Sequence, residues 1–218
     1  MIKNIYGIYG ASGFGREVMP LARNQLLAAG IPSESLVFID DHSSASDVNG
    51  HRVVSYSEFL AIPAQSRNVA LAIASDSVRE ELYLKLGDDG VAQWSIHASN
   101  AVVLDEVAIA EGAILCPFVT ITSNIRIGRC FHANIYSYVA HDCEIGDFVT
   151  FAPGVMCNGN VRIEDHVYIG TGAVLKQGRP GEPLVIGRGA VVGMGAVVTR
   201  SVAAGTTVVG NPARPLLK

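Results

Sequence analysis

The 218-residue sequence has no run of basic residues, few aromatic side chains and no long apolar stretch. Each shortage removes a class of function. Sixteen Lys and Arg against 20 Asp and Glu leave a net charge of −4, and nothing in the chain could track a phosphate backbone, so nucleic acid is excluded as a partner. With 7% aromatics there are no stacking platforms for single strands. Apolar residues at 49% and charged residues at 17% exclude a disordered chain. No segment approaches the roughly 18 apolar residues of a membrane span. The opening MIKNIYGIYGASGFG breaks its apolar stretch with glycine and reads as a buried strand rather than a signal segment. The expectation is a soluble, cytoplasmic protein. The four cysteines, Cys116, Cys130, Cys143 and Cys157, offer neither a CxxC pair nor paired zinc-ligand spacing, and read as reduced core thiols.

Glycine is in excess, 23 of 218, and the chain changes grammar part-way. Residues 1–93 alternate strand and helix signals. Ile5–Tyr9 is an apolar run ending in the turn GASGFG, followed by a helix over Arg16–Ala29 that closes at Gly30. Leu36–Ile39 and Val69–Ala74 are the next strands, and Ser77 with Glu80 carries a capping-box signature for a helix reaching about Leu86. The pattern predicts a small, Rossmann-like α/β domain over 1–93 with a parallel sheet. Gly10, Gly13 and Gly15 stand between strand and helix, where backbone can approach an anion at a helix N-terminus. The spacing is not GxGxxG, which argues against a dinucleotide; a tight turn without a ligand is the alternative.

From His97 a six-residue period replaces the helix signals. Every sixth residue from 97 to 175 is Leu, Ile or Val at ten of 14 positions. A second set four residues later, Ala113, Val119, Ile125 and onward, is small or aliphatic. Gly128, Gly146 and Gly170 follow members of the first set, and are expected to supply freedom in φ at tight corners. Such a period implies a solenoid over 94–218 in which residues 18 apart stack on successive coils. It breaks over 176–185, an irregular loop. Of the six histidines only His141 sits in a segment that suggests chemistry, VAHDCEIGD, where Asp142 or Glu144 could orient the imidazole. One coil further on stands Gly159, which leaves room above the ring and a backbone N–H for a developing oxyanion. A surface histidine at a solenoid corner is the alternative.

Residues 97–212, closing in GNPAR at Gly210–Arg214, resemble the left-handed parallel β-helix of hexapeptide-repeat acyltransferases. Both halves together resemble the sialic-acid O-acetyltransferase and bacillosamine N-acetyltransferase group. That resemblance implies an acetyl-CoA-dependent enzyme, a homotrimer, acting on the amino group of a UDP- or dTDP-linked 4-amino-deoxy sugar for surface polysaccharide. It implies His141 as the base with Asp142 as its acidic helper, and no metal. It implies a nucleotide-sugar site at Ser12, Gly13, Phe14, Asp40, Asp41, Ile73 and Ala74, with Asn134 orienting the substrate. Phe14 stands where relatives commonly carry histidine. Acetyl-CoA would meet Thr150, Gly159, Thr171, Gly193 and Met194, with Lys176, Arg179 and Arg214 as candidates for its phosphates; Thr150 replaces a histidine of some relatives. Within the class, sugar O-acetylation is the alternative. A zinc hydratase on the same scaffold would need imidazoles converging from one strand, whereas His132 and His141 fall at different hexapeptide offsets. A non-catalytic nucleotide-sugar-binding scaffold is the last reading.

Overall fold

The computed structural model describes residues 2–216. It divides into two compact units, Met1–Ser99 and Asn100–Lys218. In the first, strands β1 (Ile2–Tyr9), β2 (Leu36–Ile39), β3 (Asp47–Val48), β4 (His51–Val54), β5 (Ala64–Leu71) and β6 (Ala92–Gln93) form one sheet in the order β3-β4-β2-β1-β5-β6. All pairs are parallel except β3 with β4. Helices α1 (Gly13–Ala28), α2 (Tyr56–Ala61) and α3 (Asp76–Asp88) fill the crossovers, as parallel pairing requires. Ile5, Ile8, Val18, Phe38, Phe59, Val69 and Leu86 are buried, so the apolar runs read from the sequence are the core.

Two local expectations are corrected, and one local motif was not anticipated. Strand β5 is Ala64–Leu71 rather than Val69–Ala74, because its polar first half still pairs with β1 through Asn4↔Ser66 and Tyr6↔Asn68; ladder hydrogen bonds outweigh composition there. Helix α3 is capped by Ser75, whose side chain accepts the Val78 N–H, and not by Ser77. A full capping box does exist, Ser55 with Glu58, and it opens α2, a helix too short for its period to stand out.

The second unit is a left-handed β-helix with three parallel ladders. One carries Ile114, His132, Thr150, Tyr168 and Val191 in register; the next Val102, Thr120, Tyr138, Met156, Val174 and Val197; the third Ala108, Arg126, Glu144, Arg162 and Val185. From Ala113 onward the two periodic sets are the interior: Leu115, Ile121, Val139, Phe151, Cys157, Ile163 and Ile169 from the first, Ala113, Val119, Phe131, Val149, Val155 and Val167 from the second, all at or near zero exposure. The earlier members His97 and Val103 are exposed, and Ala101, Val107 and Ile109 only part-buried, because no coil precedes them to cover them. All four cysteines are buried free thiols.

The glycine expectation is overturned at all three residues it named. Left-handed φ recurs every six residues at the corners, from Glu106 and Gly112 through Phe118, Asn124, Cys130, Tyr136, Asp142, Phe148, Gly154, Asn160 and His166 to Gly172, and most of those residues are not glycine. Gly128, Gly146 and Gly170 are absent from that set, and a Cβ on Gly170 would lie 2.6 Å from the Met194 nitrogen. A Cβ on Gly128 would lie 2.6 Å from the carbonyl carbon of Gly146, and one on Gly146 would lie 2.7 Å from the Asp165 nitrogen. They are glycines because adjacent coils touch there, not because φ requires it. The loop is shorter than expected: strand Leu184–Ile186 already pairs with Val161–Ile163, and an Arg179–Glu182 bridge ties the turn before it.

Candidate active site

The first cluster lies at the carboxyl edge of β1, β2 and β5, where open α/β sheets bind ligands. Gly10 has φ +103°, and its N–H donates to the Ile39 carbonyl at 2.7 Å. A Cβ on Gly15 would lie 1.8 Å from the Gly10 carbonyl oxygen, whereas one on Gly13 would meet nothing within 4 Å. Gly15 therefore serves helix-to-strand packing, and Gly13 faces open space. Ser12 is the N-cap of α1, yet its side chain makes no capping bond, so the hydroxyl and the first N–H groups of the helix face the same exposed turn as Gly13. Phe14 is half-buried beside it.

Asp40 and Asp41 serve the architecture of this edge. Asp40 accepts the Ala11 N–H through Oδ2 at 3.0 Å, and the His42 and Ser43 N–H groups through Oδ1 at 3.0 and 3.1 Å. Asp41 accepts the Tyr9 hydroxyl at 2.5 Å and the Tyr56 N–H at 2.8 Å. Burial pushes its pKa up, but those two donors outweigh it and hold the carboxyl below its ordinary range. Burial and the hydrogen bond to Asp41 push the Tyr9 phenol far up. Ile73 and Ala74 lie just past β5, and both carbonyls accept from the guanidinium of Arg79, at 2.9 and 3.4 Å. Arg79 is fully buried, and a single arginine in an exposed-looking helix pattern carried no signal of that role.

The second cluster lies at the corner between the second and third ladders. Asp142 takes the left-handed corner conformation, φ +59°, and its Oδ2 is 2.7 Å from Nδ1 of His141. Both side chains are about half exposed, 49% and 48%. This pairing puts the proton on Nδ1 and leaves Nε2 as the basic nitrogen. A Cβ on Gly159 would sit 2.6 Å from both Cε1 and Nε2 of His141, so the imidazole lies directly against the glycine one coil on. Glu144, the other carboxylate expected near the ring, instead accepts from Arg162 Nε at 2.8 Å on the third ladder; it opens the strand after the corner at Asp142, so the coil has already turned onto another face. A cleft of about 220 Å³ beside the corner is lined by Asp142, Asn160, Arg162 and Arg179.

The remaining expected residues fall elsewhere. Asn134 Nδ2 donates to the Phe151 carbonyl at 2.8 Å, the same bond that Asn158 makes to Leu175 at 2.7 Å, so this amide tethers adjacent coils. Thr150 is only 8% exposed and pairs with His132 and Tyr168, away from the corner of His141. Thr171 and Met194 are exposed at the corner between the first and second ladders, where the Gly195 N–H donates to the Thr171 carbonyl. Gly193 packs on Val209 beside them. Lys176, Arg179 and Arg214 are exposed. Among the described residues no three His, Cys, Asp or Glu side chains lie together as a metal site, and no helix is long and apolar enough to cross a membrane.

Residues 6–86 match the PglD N-terminal domain family. Over 213 residues, 98% of this chain and 96% of the relative, the sequence is 53% identical to the GDP-perosamine N-acetyltransferase of Escherichia coli O157:H7. The chain belongs to the hexapeptide-repeat sugar N-acetyltransferases. Two solved structures agree with that family over both units. WeeI from Acinetobacter baumannii AYE matches with a TM-score of 0.95 at 60% identity, covering 98% of this chain and 100% of that one. The acetyltransferase domain of PglB from Neisseria gonorrhoeae FA1090, in complex with acetyl coenzyme A, matches with a TM-score of 0.86 at 28% identity, covering 99% and 100%. As a sugar N-acetyltransferase of this family, the protein is an acetyl-CoA-dependent acyltransferase.

Proposed function

We propose that the enzyme transfers acetyl from acetyl-CoA to the amino group of GDP-perosamine, a GDP-linked amino sugar, rather than of the UDP- or dTDP-linked sugar expected from the resemblance. The relative that is 53% identical over nearly the full length carries GDP-perosamine in its name, and the same likeness favours N- over O-acetylation. The product would serve surface polysaccharide in the cytoplasm. The observation that carries the chemistry is the His141 imidazole, fixed by Asp142 at 2.7 Å and seated on Gly159.

In this reading the sugar amine attacks the thioester carbonyl, forming the C–N bond, while Nε2 of His141 takes the ammonium proton. Among the described residues no acceptor takes the Gly159 N–H, and this donor stabilises the oxyanion. Collapse breaks the C–S bond and expels the CoA thiolate, which takes from His141 the proton that the ammonium gave up. The exposed turn at Ser12 and Gly13 holds the diphosphate, and Thr171, Gly193 and Met194 lie along the acetyl-CoA arm. The acting species is a homotrimer whose neighbouring β-helices complete each site; the exposed Phe118, Tyr136 and Met194, at 53%, 63% and 81%, give it an apolar surface to bury. CoA release measured with GDP-perosamine and with UDP- and dTDP-linked 4-amino sugars tests the assignment. The GDP sugar should have the highest kcat/KM; equal or better turnover of a UDP sugar would overturn it. A stable, fully active monomer by light scattering would remove the trimer.

A further inference from the structure

The coil edge at His141 contains more fixed geometry than the base and its carboxylate. The Asn158–Gly159 peptide is trans, so the carbonyl of Asn158 and the N–H of Gly159 point in opposite directions. The carbonyl is turned inward. It accepts the Cys143 thiol at 3.3 Å and, at the longer distance of 3.8 Å, the Cys157 thiol; the Cys143 sulfur is also 3.7 Å from the His141 carbonyl, and both sulfurs are in the interior, at 1% and 0% exposure. The side chain of Asn158 is held as well, accepting from the Tyr138 hydroxyl at 3.0 Å and donating to the Leu175 carbonyl at 2.7 Å. The N–H of Gly159 is therefore turned outward, to the side on which the imidazole lies against the same glycine. Among the described residues no backbone N–H donates to the Asn158 carbonyl, and side-chain thiols are its donors.

We propose that Cys143 is a positioning residue for acyl transfer: its thiol pins the Asn158 carbonyl inside the solenoid and so aims the Gly159 N–H at the reacting carbonyl beside His141. The role rests on the reading of Gly159 as the oxyanion donor. A thiol suits it because it is small enough for the interior and still supplies one weak donor. When that donor is lost, the peptide can rock, and the outward N–H is misaligned only where charge develops. Cys143→Ala should then lower kcat while leaving KM for acetyl-CoA unchanged.

The test compares Cys143→Ala, Cys143→Ser and Cys130→Ala in the full chain by steady-state kinetics and thermal melting. Cys130 is an equally buried thiol at a different corner, and its loss should cost stability alone. For Cys143→Ala the expected loss is about fivefold to tenfold in kcat, the scale of one hydrogen bond. Cys143→Ser, which keeps a donor, should recover kcat to within about twofold of wild type. If Cys143→Ala does not fold, Cys143→Val fills the space without a donor and should show the same kcat loss. Wild-type kcat in the alanine or valine variant would overturn the proposal. So would equal losses in the alanine and serine variants, or a change confined to KM. His141→Ala, run beside them, separates the two levels. If it retains wild-type kcat, the reading of the site has failed; if it loses activity while Cys143→Ala does not, only the positioning role has failed.

Discussion

The two clusters use carboxylates in opposite ways. At the sheet edge, Asp40 and Asp41 are already engaged by backbone N–H groups and a tyrosine hydroxyl, so residues that resemble ligand contacts hold the turn in shape. At the coil edge, Asp142 spends its carboxylate on one imidazole, and the pair stands half exposed. The α/β unit must build its loops from local hydrogen bonds, because each loop is unique. In the β-helix, repeated ladders and stacked apolar residues supply the stability, and a corner side chain is left over for chemistry. The difference predicts that substitutions at the coil edge act on rate, and those at the sheet edge on binding or folding.

The largest expected effect is that of His141→Ala, which should lower kcat by about 10²- to 10⁴-fold with KM for acetyl-CoA and the melting temperature retained. Asp142→Asn should cost less, since it only tunes the ring. Wild-type turnover across the pH range would remove His141 from the mechanism. Gly159→Ala comes next. Its methyl would sit 2.6 Å from Nε2, forcing the imidazole aside, and a displacement of about 1 Å costs on the order of 10²-fold. If its kcat stays within twofold of wild type, the glycine is a packing residue only.

Gly13→Leu sharpens the contrast from the other unit. With open space around the position the unit should fold. KM for the nucleotide sugar should rise about tenfold, the scale of one lost charge-assisted contact, and KM for acetyl-CoA should not move. Equal shifts in both constants would break the division of labour between the units. The smallest effect is on stability. The folded-state pKa of Asp41 is depressed by its Tyr9 and Tyr56 donors, so its contribution is present above the ordinary carboxylate pKa and is lost as pH falls through the lower, folded value. Asp41→Asn should lower Tm by a few degrees at pH 7, and the gap to wild type should narrow below about pH 4. A gap as wide at pH 3 as at pH 7 would assign the loss to packing instead.

Much of the architecture was legible because periodicity is a property of order along the chain. The six-residue period read from His97 to Leu175 named the interior of the β-helix from Leu115 onward, while His97 and Val103 at its start are exposed; stacking by 18 residues placed Gly159 on His141, where it lies. Strand Leu36–Ile39 was read to the residue. What could not be read depended on contacts between distant segments. The polar half of β5 becomes strand only because β1 offers it a ladder. Arg79 is buried because two carbonyls past β5 accept its guanidinium. Glu144 leaves His141 for Arg162 because the corner at Asp142 turns the coil onto another face between them.

Sequence by itself determined which residues repeat, and therefore the solenoid, its interior and the coil neighbour of the candidate base. Tertiary structure alone decided which polar groups are consumed by the fold. Asp40, Asp41 and Asn134 spend hydrogen bonds on the backbone, Thr150 is covered, and the Asn158 carbonyl accepts from a thiol 15 residues away in sequence. The physical reason is that burial of apolar groups follows composition and period, whereas a polar group is free or committed according to what lies within about 3 Å of it, and that is fixed only when the chain has closed on itself.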